Sequence, residues 1–290
     1  MIITALKGGL GNQMFQYALG RTLSLKNDDV LKLDTTGLSR ANEIGDIYRP
    51  FALNAFNIEA SIATPEESVR LKYPKGSLSK VWRKFEFKVL RKQHVGFEPD
   101  MLKKRGDLYL DGYWQSPKYF ESIRSTLLQD FTLRTPMSNS AESMASRMQA
   151  TLSISVHIRR GDYVANPKVA AAYGPCTETY YKNAVAEIVK HVSSPTWFIF
   201  SDDIDWVKDN LNFPGTVIYV SGEASNDQEE LLLMASCTHN VIANSSFSWW
   251  GAWLNQNPEK IVVAPSPWFD TRPQDHADLL PSSWTQIPKK

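Results

Sequence analysis

Leu152-Ser153-Ile154-Ser155-Val156-His157-Ile158, running into Arg159-Arg160-Gly161-Asp162-Tyr163, is the stretch on which the fold turns. An apolar run of strand length that stops at a charged glycine turn reads as a buried strand with chemistry at its tip. Downstream the alternation repeats. A helix is predicted from about Thr177 to His191, with Tyr181, Val185, Ile188 and Val192 on one face. Strand Thr196–Phe200, a short helix Ile204–Asn210 and strand Val217–Val220 follow. Asn226 and Glu229 stand at capping-box spacing before a helix that runs through Cys237. Strand Asn240–Asn244, helix Phe247–Asn255 and strand Lys260–Ala264 complete the series. Five strands separated by helical segments predict an α/β domain built on a parallel, doubly wound sheet.

Upstream of this stretch the pattern is regular only at the start. Ile2–Leu6 reads as a strand, Gly8-Gly9-Leu10-Gly11 as a turn, and Asn12 to about Asn27 as a helix striped by Phe15, Leu19 and Leu23. Val30–Asp34 is a second strand. Prolines at 50, 65, 74, 99, 117 and 136 break residues 40–140 into short pieces, where helices and loops are expected. Between Arg70 and His94 lies a basic stretch with Lys80, Arg83, Lys84, Lys88, Arg91 and Lys92. Trp82, Phe85 and Val89 share a helical face there, which fits either an ordinary surface helix or a face for peripheral membrane contact. Ser138–Ser146 reads as a helix start or an interdomain linker. Two domains are expected, 1–150 and 151–290.

Composition narrows the function. The 290 residues are 42% hydrophobic and 22% charged, which supports a packed core. A formal charge of +1 lacks the basic excess of a nucleic-acid partner. No apolar run approaches the ~20 residues of a membrane span, and the amino terminus lacks the basic and apolar regions of a signal peptide. Cytoplasmic localisation is therefore expected. Two cysteines, Cys176 and Cys237, give neither a disulfide framework nor a zinc spacing.

In an open parallel sheet, ligands bind beyond the carboxyl ends of the strands. Three strand ends here are polar: His157–Tyr163, Ser201-Asp202-Asp203, and Asn244-Ser245-Ser246-Phe247-Ser248. Arg159 and Arg160 offer guanidinium groups to a phosphate. Ser245 and Ser246 open a helix whose amides favour an anion, and Asp202 and Asp203 suit a ribose or base. Each motif also has a plain structural reading: a salt-bridged turn, a helix cap, a core histidine. Trp249 and Trp253, at i, i+4, read first as core. At the other end, Gly9, Gly11, Asn12 and Gln13 approach a dinucleotide fingerprint, but Met14 replaces its third glycine. That loop instead offers amide and backbone donors to a ligand.

Together these motifs resemble glycosyltransferase family 11, the α-1,2-fucosyltransferases. The resemblance rests on Gly8–Ala18, His157–Tyr163, Phe200–Asp203 and Asn244–Leu254. It implies a GT-B fold of two Rossmann-like domains with the nucleotide-sugar site in the cleft between them, the first facing the acceptor and the second holding the donor. It further implies inverting transfer of L-fucose from GDP-fucose to the 2-hydroxyl of a β-galactose-terminated oligosaccharide or lipid-linked glycan, as in surface polysaccharide or O-antigen synthesis. No metal or other cofactor is implied. By the same resemblance Arg159 meets the diphosphate, His157 lies near the nucleoside, and Ser245, Ser246 and Phe247 line the diphosphate and fucose pocket. Asn12 reaches the reacting sugar, and Arg160, Asp202, Glu230, Asn244, Gly9, Gly11 and Gln13 complete the donor-binding set. The chain departs from the pattern at Glu230, where relatives often carry Asp, and at Pro167, where the α-1,6 enzymes have their glutamate base. Asp162 is the candidate general base; orienting Arg159 or Arg160 is its alternative role, and a dissociative route would need no strong base. The competing readings are a transferase of another nucleotide sugar, a non-catalytic tryptophan-rich glycan-binding protein, and an oxidoreductase.

Overall fold

A computed structural model of the chain describes residues 1–38, 49–74, 76–81, 94–161, 164, 170, 174–220, 222–271 and 277–290. The chain forms two units, Met1–Arg134 with Ala277–Leu279, and Thr135–His276 with Leu280–Lys290.

The first unit starts with β1 (Ile2–Ala5), buried throughout, and helix α1 (Leu10–Asn27). The predicted stripe of Phe15, Leu19 and Leu23 is fully buried. Gly20 lets α1 lie close to the sheet: a β-carbon there would fall 2.4 Å from Thr4 Oγ1 and 2.8 Å from Leu31. This glycine, rather than one at position 14, makes the tight helix–strand approach. Strand β2 (Leu31–Asp34), the two-residue β3 (Ser61–Ile62) and β4 (Leu108–Leu110) join β1 in a parallel sheet of order β3-β2-β1-β4. Helix α2 (Pro65–Lys72) begins on a full capping box, Thr64 with Glu67, and has proline in its first turn. Pro99 and Pro117 likewise open 3-10 turns, Pro99–Lys103 and Pro117–Tyr119. Helix α3 (Arg124–Asp130) ends at a buried carboxylate that accepts from Tyr17 Oη and Arg21 Nε.

The second unit opens with helix α4 (Asn139–Gln149), capped by Ser138. Its Ala141, Met144 and Met148 pack with Phe198, Phe200 and Leu233, so the 150/151 division expected from the sequence falls inside this unit. Strand β5 (Ser153–Ile158) is buried along its whole length, as a central parallel strand must be. Then come α5 (Glu178–Val189), β6 (Thr196–Ser201), α6 (Ile204–Asn210), β7 (Thr216–Tyr219), α7 (Asp227–Ser236), β8 (His239–Val241), α8 (Ser246–Leu254), β9 (Val262–Ser266) and β10 (Thr285–Pro288). All strands run parallel in the order β10-β9-β8-β5-β6-β7. The sixth strand, β10, escaped the sequence reading because it is a short, half-exposed edge ending in proline. Trp249, Trp250, Trp253 and Trp284 form a buried ring-to-ring cluster. They fill the core and offer no exposed platform to a glycan. Among the described residues no helix is long and apolar enough to cross a membrane.

Candidate functional site

In the second sheet, β5 and β8 are neighbours from which the chain winds outward in opposite directions. Such a switch point leaves a crevice beyond the two strand tips. The β5 tip carries His157 to Gly161, and β8 leads through Asn244 and Ser245 into α8. The β6 tip, with Ser201, Asp202 and Asp203, adjoins β5 on its other side. The three polar strand ends therefore do line one rim, as the sequence suggested.

Their side chains divide the work differently from expectation. Arg159 Nη1 lies 2.9 Å from Asp202 Oδ2, with the guanidinium half-buried. The other Asp202 oxygen accepts from Arg160 N at 2.8 Å. Arg160 turns aside: its Nε donates to Asp203 Oδ2 at 3.0 Å and its guanidinium sits 3.9 Å from the Trp206 ring centroid. Asp203 Oδ1 meanwhile caps α6 through Trp206 N. The paired arginines are thus not a single fork. Arg160, Asp202 and Asp203 are committed to one another and to α6, and what they present to the crevice is an oriented Arg159. A β-carbon at Gly161 would fall 2.6 Å from Asp202 Oδ2, so any side chain there must push the Asp202 carboxylate aside. Trp206 was not singled out from sequence; its only signal is its place three residues after a capping aspartate.

His157 is buried, with its ring 5.8 Å from that of Phe247. Its Nδ1 has no hydrogen-bond partner among the described residues. Burial, helped by the nearby Arg159 charge, pushes its pKa down to about 3, so the imidazole is neutral. Ser245 caps α8 by accepting from Phe247 N, and Ser246 opens the helix. Ser245, Ser246 and Phe247 are all partly exposed, so the amino end of α8 faces outward at the crevice. Asn244, by contrast, is buried: its Nδ2 donates to Gly174 O at 2.9 Å and Trp268 O at 3.0 Å. It ties loops together and is not placed to touch a ligand. Glu230, in the first turn of α7, is pushed up to about 6, mainly by burial. Asp227 and Asp202 add to the shift and Arg159 opposes it, so this carboxyl shares the electrostatic field of the β5 tip.

In the first unit the glycine loop also follows a strand tip. Gly8 adopts φ +77°, and a β-carbon would fall 2.5 Å from Asn12 Nδ2. Gly9 precedes α1 with open space where a side chain would lie, whereas Gly11 is buried in the first turn. Asn12 Oδ1 accepts from Gln115 Nε2 at 2.8 Å. Gln13 corrects the sequence reading. It is fully buried, its Nε2 donating to Gly8 O and Pro50 O and its Oε1 accepting from Ala52 N. All of its amide braces the loop. Gln16, which the sequence did not flag, clamps both the N–H and the C=O of Lys7. Gln115 was missed as well, since nothing in its local sequence announces a partner 103 residues away.

Asp162, Pro167 and most of the basic stretch, residues 75 and 82–93, lie outside the described residues. Among the described residues no three His, Cys, Asp or Glu side chains gather as metal ligands.

Comparison with known proteins places these features. Residues 1–288 match the family model of Glycosyl transferase family 11. The alpha-1,2-colitosyltransferase of Escherichia coli is 33% identical over 301 residues, covering 100% of this chain and 99% of its own. The O-antigen biosynthesis glycosyltransferase WbnK of Escherichia coli is 31% identical, covering 98% of this chain and 99% of its own. Among solved structures, fucosyltransferase NodZ from Bradyrhizobium is similar with a TM-score of 0.52 at 15% identity, over 86% of this chain and 91% of that one. At that identity the likeness speaks for the fold, which is GT-B, with two parallel α/β sheets.

Proposed function

The chain belongs to glycosyl transferase family 11, and from that premise we propose that it transfers L-fucose from GDP-fucose to the 2-hydroxyl of a β-galactose-terminated glycan. The transfer inverts the anomeric centre and uses no divalent metal. The observation that carries this reading is Arg159, held by Asp202 at the tip of β5 beside the outward-facing start of α8.

Departure of GDP builds negative charge on the diphosphate. A fixed guanidinium and helix-start amides supply the counter-charge without reorganising, which is the task a metal performs in other transferases. In this reading Arg159, Ser245 and Ser246 hold the diphosphate, with Phe247 against the sugar. The unpartnered Nδ1 of neutral His157 and the Glu230 carboxyl face the nucleoside. Asn12, oriented by Gln115, attends the reacting sugar.

The acceptor belongs to O-antigen or other surface polysaccharide synthesis. Peripheral membrane contact through residues 70–94 and a cytoplasmic site of action are part of the same proposal; sedimentation with anionic vesicles at low salt tests the contact. A second donor is favoured by the full-length 33% identity to a colitosyltransferase. GDP-fucose and GDP-colitose offered with a β-galactoside, with the product linkage read by NMR, decide between them. Turnover that survives EDTA supports the metal-free route. Turnover lost in EDTA and restored by Mn²⁺ overturns it.

A further inference from the structure

Helix-start amides favour an anion only where they are held in place, and in the second unit the residue just before the α8 cap is held from the far edge of the sheet. Asn244 Nδ2 donates to Gly174 O and Trp268 O, and its Oδ1 accepts from Cys176 Sγ at 3.5 Å. Trp268 O also accepts from Lys289 Nζ at 3.4 Å. One carbonyl therefore joins the residue before the cap to a lysine that directly follows β10. All of these residues belong to the second unit.

Lys289 is buried to its amine. The side chain is 0% exposed, and Nζ lies 2.7 Å from Asp270 Oδ1. Its main chain is tied as well: N donates to Ser266 O at the end of β9, and O accepts from Thr177 N and Thr177 Oγ1, the cap of α5. Asp270 takes a second, exposed lysine on its other oxygen, with Lys290 Nζ 2.6 Å from Oδ2. Gly174, at φ +60°, lets its loop lie against this carboxylate, since a β-carbon there would fall 2.6 Å from Asp270 Cγ. Burial alone would raise the Asp270 pKa, but hydrogen bonds from Lys289 and Lys290 hold it below the ordinary carboxylate value, so the carboxylate is charged.

A buried ion pair adds little net stability, because the cost of desolvating two charges offsets their attraction. What such a pair can fix is conformation, since few arrangements satisfy both charges at once. We propose that Lys289 and Asp270 are positioning residues for the diphosphate site: through Trp268 O and the Gly174 loop they set Asn244, and through Asn244 the start of α8. The proposal rests on the reading above, in which Ser245 and Ser246 hold the diphosphate. The pair acts at a remove, on the phosphate end of the donor and not on its nucleoside. A displacement of about 1 Å in such a support can cost ~10²-fold in rate.

The test compares GDP and guanosine affinities by titration calorimetry in the full chain. Lys289→Met leaves Asp270 paired with Lys290. It is expected to weaken GDP binding about tenfold or more while guanosine affinity stays within about twofold. General loosening of the fold would weaken both ligands alike. Lys290→Met, which removes an exposed pair, should leave both affinities within about twofold. In an Asn244→Ser background, Lys289→Met should change GDP affinity by less than about twofold, because residues on one route do not add. An unchanged ratio of GDP to guanosine affinity in folded Lys289→Met, an equal loss of both ligands, or full additivity with Asn244→Ser overturns the proposal. If Lys289→Met fails to fold, the charge-free Asp270→Asn/Lys289→Met double variant is read by the same ratio. Wild-type protein that binds neither ligand sinks the GDP-sugar reading and the proposal with it. Wild-type protein that binds GDP, with the ratio unmoved in the variant, sinks the positioning role alone.

Discussion

The two sheets are built on one plan and finished by different means. In each, the second strand of the chain lies on one side of the first and the fourth on the other, and a loop bearing the distinctive sequence follows the first strand. In the second unit that loop is ordered by charge: Asp202 on Arg159, Asp203 on Arg160, and a guanidinium on Trp206. In the first it is ordered by neutral amides, with Gln13 and Gln16 spent on the backbone and Gln115 on Asn12. Charge aimed at a crevice suits a charged ligand whose charge grows during reaction. Neutral clamps suit a loop that must keep its shape without adding charge.

Removing the central charge tests this contrast hardest. Arg159→Ala should lower kcat/KM ~10²–10³-fold, about 3–4 kcal/mol of barrier, while the melting temperature hardly moves. A large loss of stability with modest loss of turnover would reverse the assignment. Gln13→Leu is the counterpart in the first unit. It leaves the carbonyls of Gly8 and Pro50 and the N–H of Ala52 without their partner and should cost about 2–3 kcal/mol in denaturant unfolding. Gly161→Ala comes next: its new methyl group displaces the Asp202 carboxylate from Arg159, for about a tenfold loss of kcat without unfolding.

The smallest effect is one of pH. Burial raises the Glu230 pKa from its ordinary value near 4.5 to about 6, so the fold favours its protonated form. The cost of ionising it is absent below about pH 4.5 and fully present above about pH 6. Glu230→Gln should therefore stabilise the protein by about 1 kcal/mol at pH 7 and leave it unchanged at pH 4.5, as thermal melts at the two values would show. Equal melting shifts at both would remove Glu230 from the charged rim.

Sequence and structure agree where the signal is local. Helices α6, α7 and α8 were legible because Asp203, Asn226 and Ser245 cap them and an apolar run follows each cap. Strand β5 was legible because both its faces are buried. Strands β3 and β4, of two and three residues, carry too little periodicity to be read among the prolines. Helix α4 was seen as a possible helix, but its allegiance is set by Phe198 and Leu233, far along the chain. The site shows the same limit. That three strand tips converge follows from topology alone, so it was readable. Which carboxylate holds which arginine depends on register between β5 and β6, and Gln115 meets Asn12 across 103 residues of chain that no local pattern announces. Gln13 shows a further ambiguity, because an amide beside a glycine turn serves a ligand or the turn itself with the same chemistry.

Residues 277–279 carry a consequence for engineering. After the second sheet is almost complete, the chain returns to lend Ala277–Leu279 to the first unit, where Leu279 is fully buried and Asp278 O accepts from Ser116 Oγ. A hybrid that exchanges first units between relatives at 134/135 alone would receive a unit with a hole where its own leucine belongs. Exchanging the tripeptide together with the unit should restore a filled interior, making the first unit transplantable as a two-segment cassette.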